Sequence, residues 1–321
     1  MMPQAVFLDF ASTSRDDLDL SKLKAACPSL MLHAHTTLEQ RIEHVGKANI
    51  LISNKVVLDK PLFDALHPQI KLICVAATGT NNIDVAAAQA YGIPVTNIRN
   101  YASRSVAEHT VGLMFALARQ IPAYQQAVTQ GDWARSQQFC LLDYSITELA
   151  GKTLGLIGYG ALGKATAQLA EAVGLKVLVA ERPDISLVRS GRVKFDELLA
   201  QADIVSLHCP LTPETHHFIN AKRLKQMKPS AWLINTARGA LVEPHDLIQA
   251  LREQWIAGAA LDVLSTEPPA LHEPLIQAQL ANLIITPHIA WASQAARQTL
   301  IDQLATIIAA WQQGELINQV H

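Results

Sequence analysis

Charge is scarce in this chain of 321 residues. Asp, Glu, Lys and Arg make up 17% of it, against about 25% in an average soluble protein. The 26 basic and 28 acidic side chains leave a formal net charge of −2, so no basic excess exists to hold nucleic acid or an anionic membrane surface. Cysteine is sparse too. Cys27, Cys74, Cys140 and Cys209 lie far apart and form no C-x-x-C pair, which offers neither a zinc template nor a secreted disulfide scaffold and points to a reducing cytoplasm. Long apolar runs are also missing: Val111 to Ala118 stops at Arg119, short of the roughly 20 residues a membrane span needs. The opening Met1-Met2-Pro3-Gln4 has no positive region before its apolar run, so no secretory leader is expected and the run reads as a first strand.

Apolar mass is plentiful. Half the residues are hydrophobic, which excludes a disordered tail protein, and the length favours two domains over one. Short apolar runs alternate with amphipathic stretches, the β-α-β pattern of parallel sheets covered by helices. Val6–Leu8, Leu30–Leu32, Ile50–Ile52, Leu72–Ala76 and Pro94–Ile98 read as strands of a first doubly wound α/β domain. Thr153–Ile157, Lys176–Ala180, Ile204–Leu207, Ala231–Asn235, Ala257–Val263 and Leu283–Thr286 read as strands of a second. Between them, Ser105 to Gln130 has helical periodicity and a wide apolar face of Val106, Val111, Leu113, Met114 and Leu117. That stretch is expected to be one long helix, either inside a core or shared with a second subunit. A terminal helix is expected from Ser293 to Gln313.

Two constellations carry chemistry. The run Thr153-Leu-Gly-Leu-Ile-Gly158-Tyr-Gly160-Ala161-Leu162-Gly163 is a strand entering a G-x-G-x-x-G turn and then a helix, the context that makes this fingerprint specific for a dinucleotide. Gly158 makes the tight turn, Gly160 admits a pyrophosphate, and Gly163 packs helix on strand, with the helix N–H groups near Ala161 and Leu162 facing the phosphates. Glu181 ends the next strand 18 residues beyond Gly163, where a carboxylate is expected to accept the adenosine ribose hydroxyls and to favour NAD over NADP. Arg182 beside it is a cation that a 2′-phosphate would attract.

The second constellation follows three later strands, at the carboxyl edge where doubly wound sheets bind ligands. Arg238 follows Ala231–Asn235, Glu267 follows Ala257–Val263, and His288 follows Leu283–Thr286. An arginine that binds a carboxylate and polarises a ketone, beside a histidine whose imidazolium a glutamate stabilises, is equipment for reducing a 2-oxo acid.

Seven stretches in order then carry a resemblance. They are Ala76-Ala-Thr-Gly-Thr-Asn-Asn-Ile-Asp84, Ser105-Val-Ala-Glu-His-Thr110, Gly158–Gly163, Asn235-Thr-Ala-Arg-Gly239, Ala260-Leu-Asp-Val263, Glu267-Pro-Pro269 and Ile285-Thr-Pro-His-Ile-Ala-Trp-Ala-Ser293. Over nearly its whole length the chain is similar to the D-isomer-specific 2-hydroxyacid dehydrogenases, and it most resembles their glycerate dehydrogenase (hydroxypyruvate reductase) branch. The resemblance implies a Rossmann cofactor domain, residues 102–288, inserted into a flavodoxin-like substrate domain of residues 1–101 and 289–321. It implies Arg238, Glu267 and His288 as the catalytic trio and Asp262 as the holder of the nicotinamide carboxamide. Thr78, Cys209, Thr236 and Ala237 would line the cofactor, and Asn54 with the N–H groups of Thr78 and Gly79 would take the substrate carboxylate. The implied cofactor is NAD, the implied partners are a small 2-oxo acid and a second subunit, and no metal is implied.

Trp291, where the broad family has a small residue, is expected to narrow the pocket and favours the glycerate branch. Formate dehydrogenases carry an amide in place of Glu267 and are disfavoured. Pyruvate and 2-ketogluconate remain alternative substrates, and a corepressor-like NAD-responsive binding module is the non-enzyme alternative.

Overall fold

The computed structural model describes residues 4–185 and 187–320; the opening Met1-Met2-Pro3, read above for the lack of a leader, lies outside them. The chain divides into two compact units, Met1–Ala102 with Ala292–His321, and Ser103–Trp291. Among the described residues no helix is long and apolar enough to cross a membrane.

The first unit alternates strand and helix as its apolar rhythm requires: β1 (Gln4–Phe7), α1 (Ser21–Ala26), β2 (Ser29–Leu32), α2 (Arg41–Val45), β3 (Ile50–Ser53), α3 (Lys60–Leu66), β4 (Leu72–Val75), α4 (Val85–Ala90) and β5 (Val95–Asn97). The strands are all parallel in the order β2-β1-β3-β4-β5, the flavodoxin-like order. Central β3 and β4 are buried at every residue, which is why they read as unbroken apolar runs rather than alternating ones. Asp59 and Asp84 begin α3 and α4 by accepting the N–H groups of Leu62 and Ala87, as N-cap carboxylates do.

In the second unit, α5 (Ser103–Arg119), α6 (Ile121–Thr129) and α7 (Asp132–Arg135) precede β6 (Thr153–Ile157), α8 (Ala161–Ala172), β7 (Lys176–Val179), α9 (Phe195–Gln201), β8 (Ile204–Leu207), α10 (Ala221–Leu224), β9 (Trp232–Asn235), α11 (Pro244–Arg252), β10 (Gly258–Leu261), α12 (Pro274–Gln277) and β11 (Leu283–Ile285). The six strands are parallel in the order β11-β10-β9-β8-β6-β7. The winding therefore reverses at β6, between β7 and β8, and β9, β10 and β11 lie side by side. The single helix expected from Ser105 to Gln130 is two. Gln120 turns left-handed at φ 53° and Pro122 sits in the first turn of α6, where its missing N–H and fixed φ fit, as they would not in a helix interior. The wide apolar face of α5 is filled by its own unit: Val111, Leu113, Met114, Leu117 and Ala118 pack with Leu154, Leu156, Ile204, Ile234 and Ala260.

The first unit closes with α13 (Gln294–Gln312), after which the chain returns to β5. Val320 donates to the Val95 carbonyl and Asn97 to that of Asn318, so the open edge of the sheet is partly covered.

Candidate active site

The turn after β6 is built by steric necessity. Gly158 has φ +98°, and a Cβ on it would lie 2.4 Å from the His208 carbonyl oxygen, so only glycine lets the loops after β6 and β8 approach this closely. A Cβ on Gly163 would meet the Gly158 carbonyl at 2.5 Å, whereas one on Gly160 would enter space with nothing within 4 Å. That open space lies against the start of α8, whose N-terminus no side chain caps. The N–H groups of its first turn and the positive end of the helix dipole therefore face a cradle suited to a pyrophosphate. The residues present fit a dinucleotide.

Cys209 is half-buried beside this turn, its backbone nitrogen 2.6 Å from the place a Gly158 Cβ would take, and burial pushes its thiol pKa up. Next to it His208 is pushed down to about 4 by burial, which keeps the ring neutral, with Nε2 bonded to Ser206 Oγ at 2.9 Å. His208 went unnoticed in the sequence because a histidine after a buried strand has no distinguishing pattern.

Glu181 follows β7, and its side chain is 1% exposed. Arg189 grips it with Nε at 2.6 Å and Nη2 at 2.5 Å, and the Arg182 N–H donates at 2.9 Å. These bonds, the Arg189 side chain first, hold the carboxyl well below the usual carboxylate range. The acceptor expected to meet the ribose thus has both oxygens engaged by the loop that follows it.

At the other end of the same edge, three neighbouring loops carry the expected trio. His288 Nδ1 lies 2.6 Å from Glu267 Oε2, while Glu267 Oε1 accepts the Leu264 N–H at 2.9 Å. With Nδ1 occupied, Nε2 is the nitrogen left to serve a ligand. His288 itself has φ 54°, a left-handed conformation that a non-glycine residue keeps only where its surroundings over-determine it.

Asp262 supplies that constraint. It accepts from Thr286 Oγ1 at 2.5 Å, the Ile289 N–H at 3.0 Å and the Ala290 N–H at 2.8 Å, and its carbonyl takes the His288 N–H at 2.8 Å. His109 Nε2 stands 3.4 Å away, and the Asp262 side chain has no exposed surface. Burial pushes this carboxyl up, but the bonds from His109, Thr286, Ala290 and Ile289 more than reverse it and leave it lowered. These bonds make Asp262, the residue expected to hold the nicotinamide carboxamide, an anchor of the loop that carries His288 as well. The Ala-Leu-Asp-Val stretch drew attention to the residue, but only the geometry showed what it grips.

Arg238 is exposed, with Nη1 on the Ala237 carbonyl at 2.7 Å. The buried Asn235 shapes its turn, accepting from the Ala237 N–H at 3.0 Å and donating to the Arg238 carbonyl at 2.8 Å. Thr236 is buried against Thr110, the hydroxyls 3.1 Å apart. Gly239 sets how near this loop comes to the next, since a Cβ there would lie 2.0 Å from the Leu264 carbonyl carbon. Asn235 and Gly239 were quoted in the motif but assigned no role; a close backbone approach leaves no trace in composition. Trp291 donates its indole N–H to the His288 carbonyl at 2.9 Å.

In the first unit, Asn54 is buried, its amide donating to Ser12 Oγ at 3.0 Å. Asp9 accepts the Asn54 and Lys55 N–H groups at 2.9 and 2.6 Å and so fixes this loop. Beyond β4, Thr78 Oγ1 donates to the Ile98 carbonyl at 2.8 Å, and Gly79 follows it half-buried.

Known proteins resemble both sequence and fold. Residues 111–290 match the family described as D-isomer specific 2-hydroxyacid dehydrogenase, NAD binding domain. The chain is 47% identical to the glycerate dehydrogenase of Methylorubrum extorquens over 322 aligned residues, covering 100% of this chain and 99% of that one. It is 36% identical to the hydroxypyruvate reductase of Blautia hydrogenotrophica, covering 98% and 99%. The crystal structure of the TT0316 protein from Thermus thermophilus superposes with a TM-score of 0.85 at 32% identity, over 99% of this chain and 100% of that one. The chain belongs to the D-isomer-specific 2-hydroxyacid dehydrogenase family of NAD-dependent oxidoreductases.

Proposed function

We propose that this protein reduces a small 2-oxo acid, hydroxypyruvate or glyoxylate, to D-glycerate or glycolate with NADH. The observation that supports this most is the His288–Glu267 pair at 2.6 Å, on loops adjacent to the one that carries Arg238. The likeness to a glycerate dehydrogenase and a hydroxypyruvate reductase supports the choice of substrate.

On this reading Ser103–Trp291 binds the cofactor through Gly158, Gly160, Ala161, Leu162 and Gly163, with Cys209, Thr236 and Ala237 lining it. In the first unit Asn54 and the N–H groups of Thr78 and Gly79 bind a carboxylate. When bound, the nicotinamide supplies a hydride to the carbonyl carbon. Arg238 binds the 2-oxo acid, its planar fork matching a carboxylate oxygen and the ketone oxygen together. His288 donates the Nε2 proton to that ketone oxygen as it gains negative charge, and Glu267 stabilises the imidazolium and holds the ring at Nδ1. Asp262 and Trp291 keep the His288 loop in its left-handed turn. A proton from water then restores the imidazolium.

Rates of NADH oxidation with hydroxypyruvate, glyoxylate, pyruvate and 2-ketogluconate test the reading. The first two are expected to have the highest kcat/KM. Turnover of all four at the rate of a protein-free control would overturn it and favour a binding module.

The protein is further proposed to act as a homodimer in a reducing cytoplasm. Among the described residues its four cysteines form no disulfide, and Trp133, Phe139, Leu142, Tyr144 and Ile146 expose a run of apolar surface that a second copy would cover. A monomer mass by light scattering at micromolar concentration would contradict the dimer.

A further inference from the structure

Two polar side chains near the start of α5 take no step in the reaction described above, yet they hold the loop that carries His288 on both sides. Ser105 Oγ donates to the Ala290 carbonyl at 2.7 Å. His109 Nε2 stands 3.0 Å from Thr286 Oγ1 and 3.4 Å from Asp262 Oδ1. Ser105 and His109 are four residues apart, so they lie on one face of the helix. Thr286 and Ala290 stand two residues before and two residues after His288. Thr110, next to His109, meets Thr236 on the loop of Arg238. Elsewhere the buried face of α5 is apolar. Its polar groups occur where it meets these loops, and there each has a partner, as burial demands.

The available hydrogens fix the direction of these bonds. An ionised Asp262 can only accept. The single hydroxyl hydrogen of Thr286 goes to Asp262 Oδ1 at 2.5 Å, so Thr286 Oγ1 has only a lone pair to offer His109. His109 Nε2 therefore carries a hydrogen and donates it, in the neutral ring and in the imidazolium alike. The bonds run from α5 through Thr286 to the carboxylate that accepts the Ile289 and Ala290 N–H groups. Without the imidazole donor the Thr286 hydroxyl is free to rotate away, which leaves Asp262 short of donors where burial disfavours its charge. The backbone of His288, at φ 54°, is a turn that only its surroundings maintain. A tie on either side is what keeps it.

We propose that His109 is a positioning residue: acting through Thr286 and Asp262, with Ser105 on the far side, it fixes the left-handed turn that aims His288 Nε2 at the substrate carbonyl. This role deepens the reading of His288 as the proton donor and rests on it. A positioning residue sets how often the donor is aligned, not how tightly substrate or cofactor is held. Its loss therefore falls on kcat and spares KM.

Kinetics of the full chain with NADH and the 2-oxo acid it turns over fastest test this role. His109→Leu, which keeps the bulk and loses the donor, is expected to lower kcat about tenfold, with KM and the NADH dissociation constant within about threefold of wild type. His109→Gln puts an amide N–H near the position of Nε2 and is expected to recover kcat to within about threefold of wild type. Thr286→Val is expected to resemble His109→Leu, and the double variant to be no slower than the slower of the two, because both break one path. Proton NMR reads the bond without turnover. A His109 ring N–H resonance downfield of the backbone amides is expected in wild type, absent from His109→Gln and moved in Thr286→Val. A kcat for His109→Leu within about twofold of wild type, a His109→Gln no faster than His109→Leu, additive losses in the double variant, or no such resonance would each overturn the proposal. A wild type that turns over no 2-oxo acid would overturn the proton-donor reading and this proposal with it. That failure is distinct from an active wild type whose His109→Leu variant is equally active.

Discussion

The two ends of the carboxyl edge in the second unit are built differently. Beyond β9, β10 and β11, backbone contacts decide the arrangement. Gly239 lets one loop press onto Leu264, and Asp262 ties down the turn of His288 through backbone N–H groups. His288 and Glu267, bonded to each other and to this backbone, then have little freedom left, as suits groups proposed to meet reacting atoms within a fraction of an ångström. Beyond β6 and β7 the glycine turn leaves open space, and the charged groups are long arginines on an exposed loop, anchored through one buried carboxylate. That end suits recognition of a diffuse anion, where a shift of an ångström costs little. On the proposed reading, the chemistry falls to the rigid end and cofactor binding to the adaptable one.

Variants can break this contrast. The largest effect is expected from His288→Gln, which removes the proposed proton donor and should lower kcat by about 10²–10⁴, the usual scale for general acid catalysis. Asp262→Ala comes next: it strands the N–H groups of Ile289 and Ala290 and frees the His288 turn. Losing bonds to a buried charge should cost about 3 kcal/mol or more in denaturant unfolding, with kcat falling as well.

The Asp262 pairings also make a pH prediction. Since this carboxyl is lowered from 3.8 in the folded protein, its stabilisation is full above that value and is lost as pH falls through the lower, folded one. Wild type should therefore lose its stability advantage over Asp262→Asn when unfolding is compared at neutral pH and in strong acid. Glu267→Gln keeps the shape but not the charge beside the imidazolium, and about a tenfold fall in kcat is expected. Smallest is Glu181→Gln, which keeps the shape of the Arg189 pair but removes its negative charge and should change NADH binding by no more than a few-fold, read by titration.

Legibility in the sequence follows the same division. All eleven described strands were visible as short apolar runs, most of them buried, and β9 and β11 delivered Arg238 and His288 as the first ionisable residues of their loops, with Glu267 the second after β10, beyond Asp262. What stayed hidden depends on distance. Nothing in Asn235-Thr-Ala-Arg-Gly239 says that Gly239 lies against Leu264, and nothing in the sequence around Glu181 says that Arg189, eight residues on, folds back over it. The break at Gln120 was signalled by Pro122, but the apolar period runs through it and favoured a single helix. A wide apolar face on α5 looks the same whether its own sheet or another subunit covers it.

The central claim is that proton transfer belongs to the β9–β11 end and cofactor binding to the β6–β7 end. It is tested most directly by the NADH dissociation constant of His288→Gln, read from nicotinamide fluorescence on the same preparation whose kcat has been measured. The account predicts a constant within about threefold of wild type while kcat has collapsed. A dissociation constant that rises in step with the fall in kcat would contradict it.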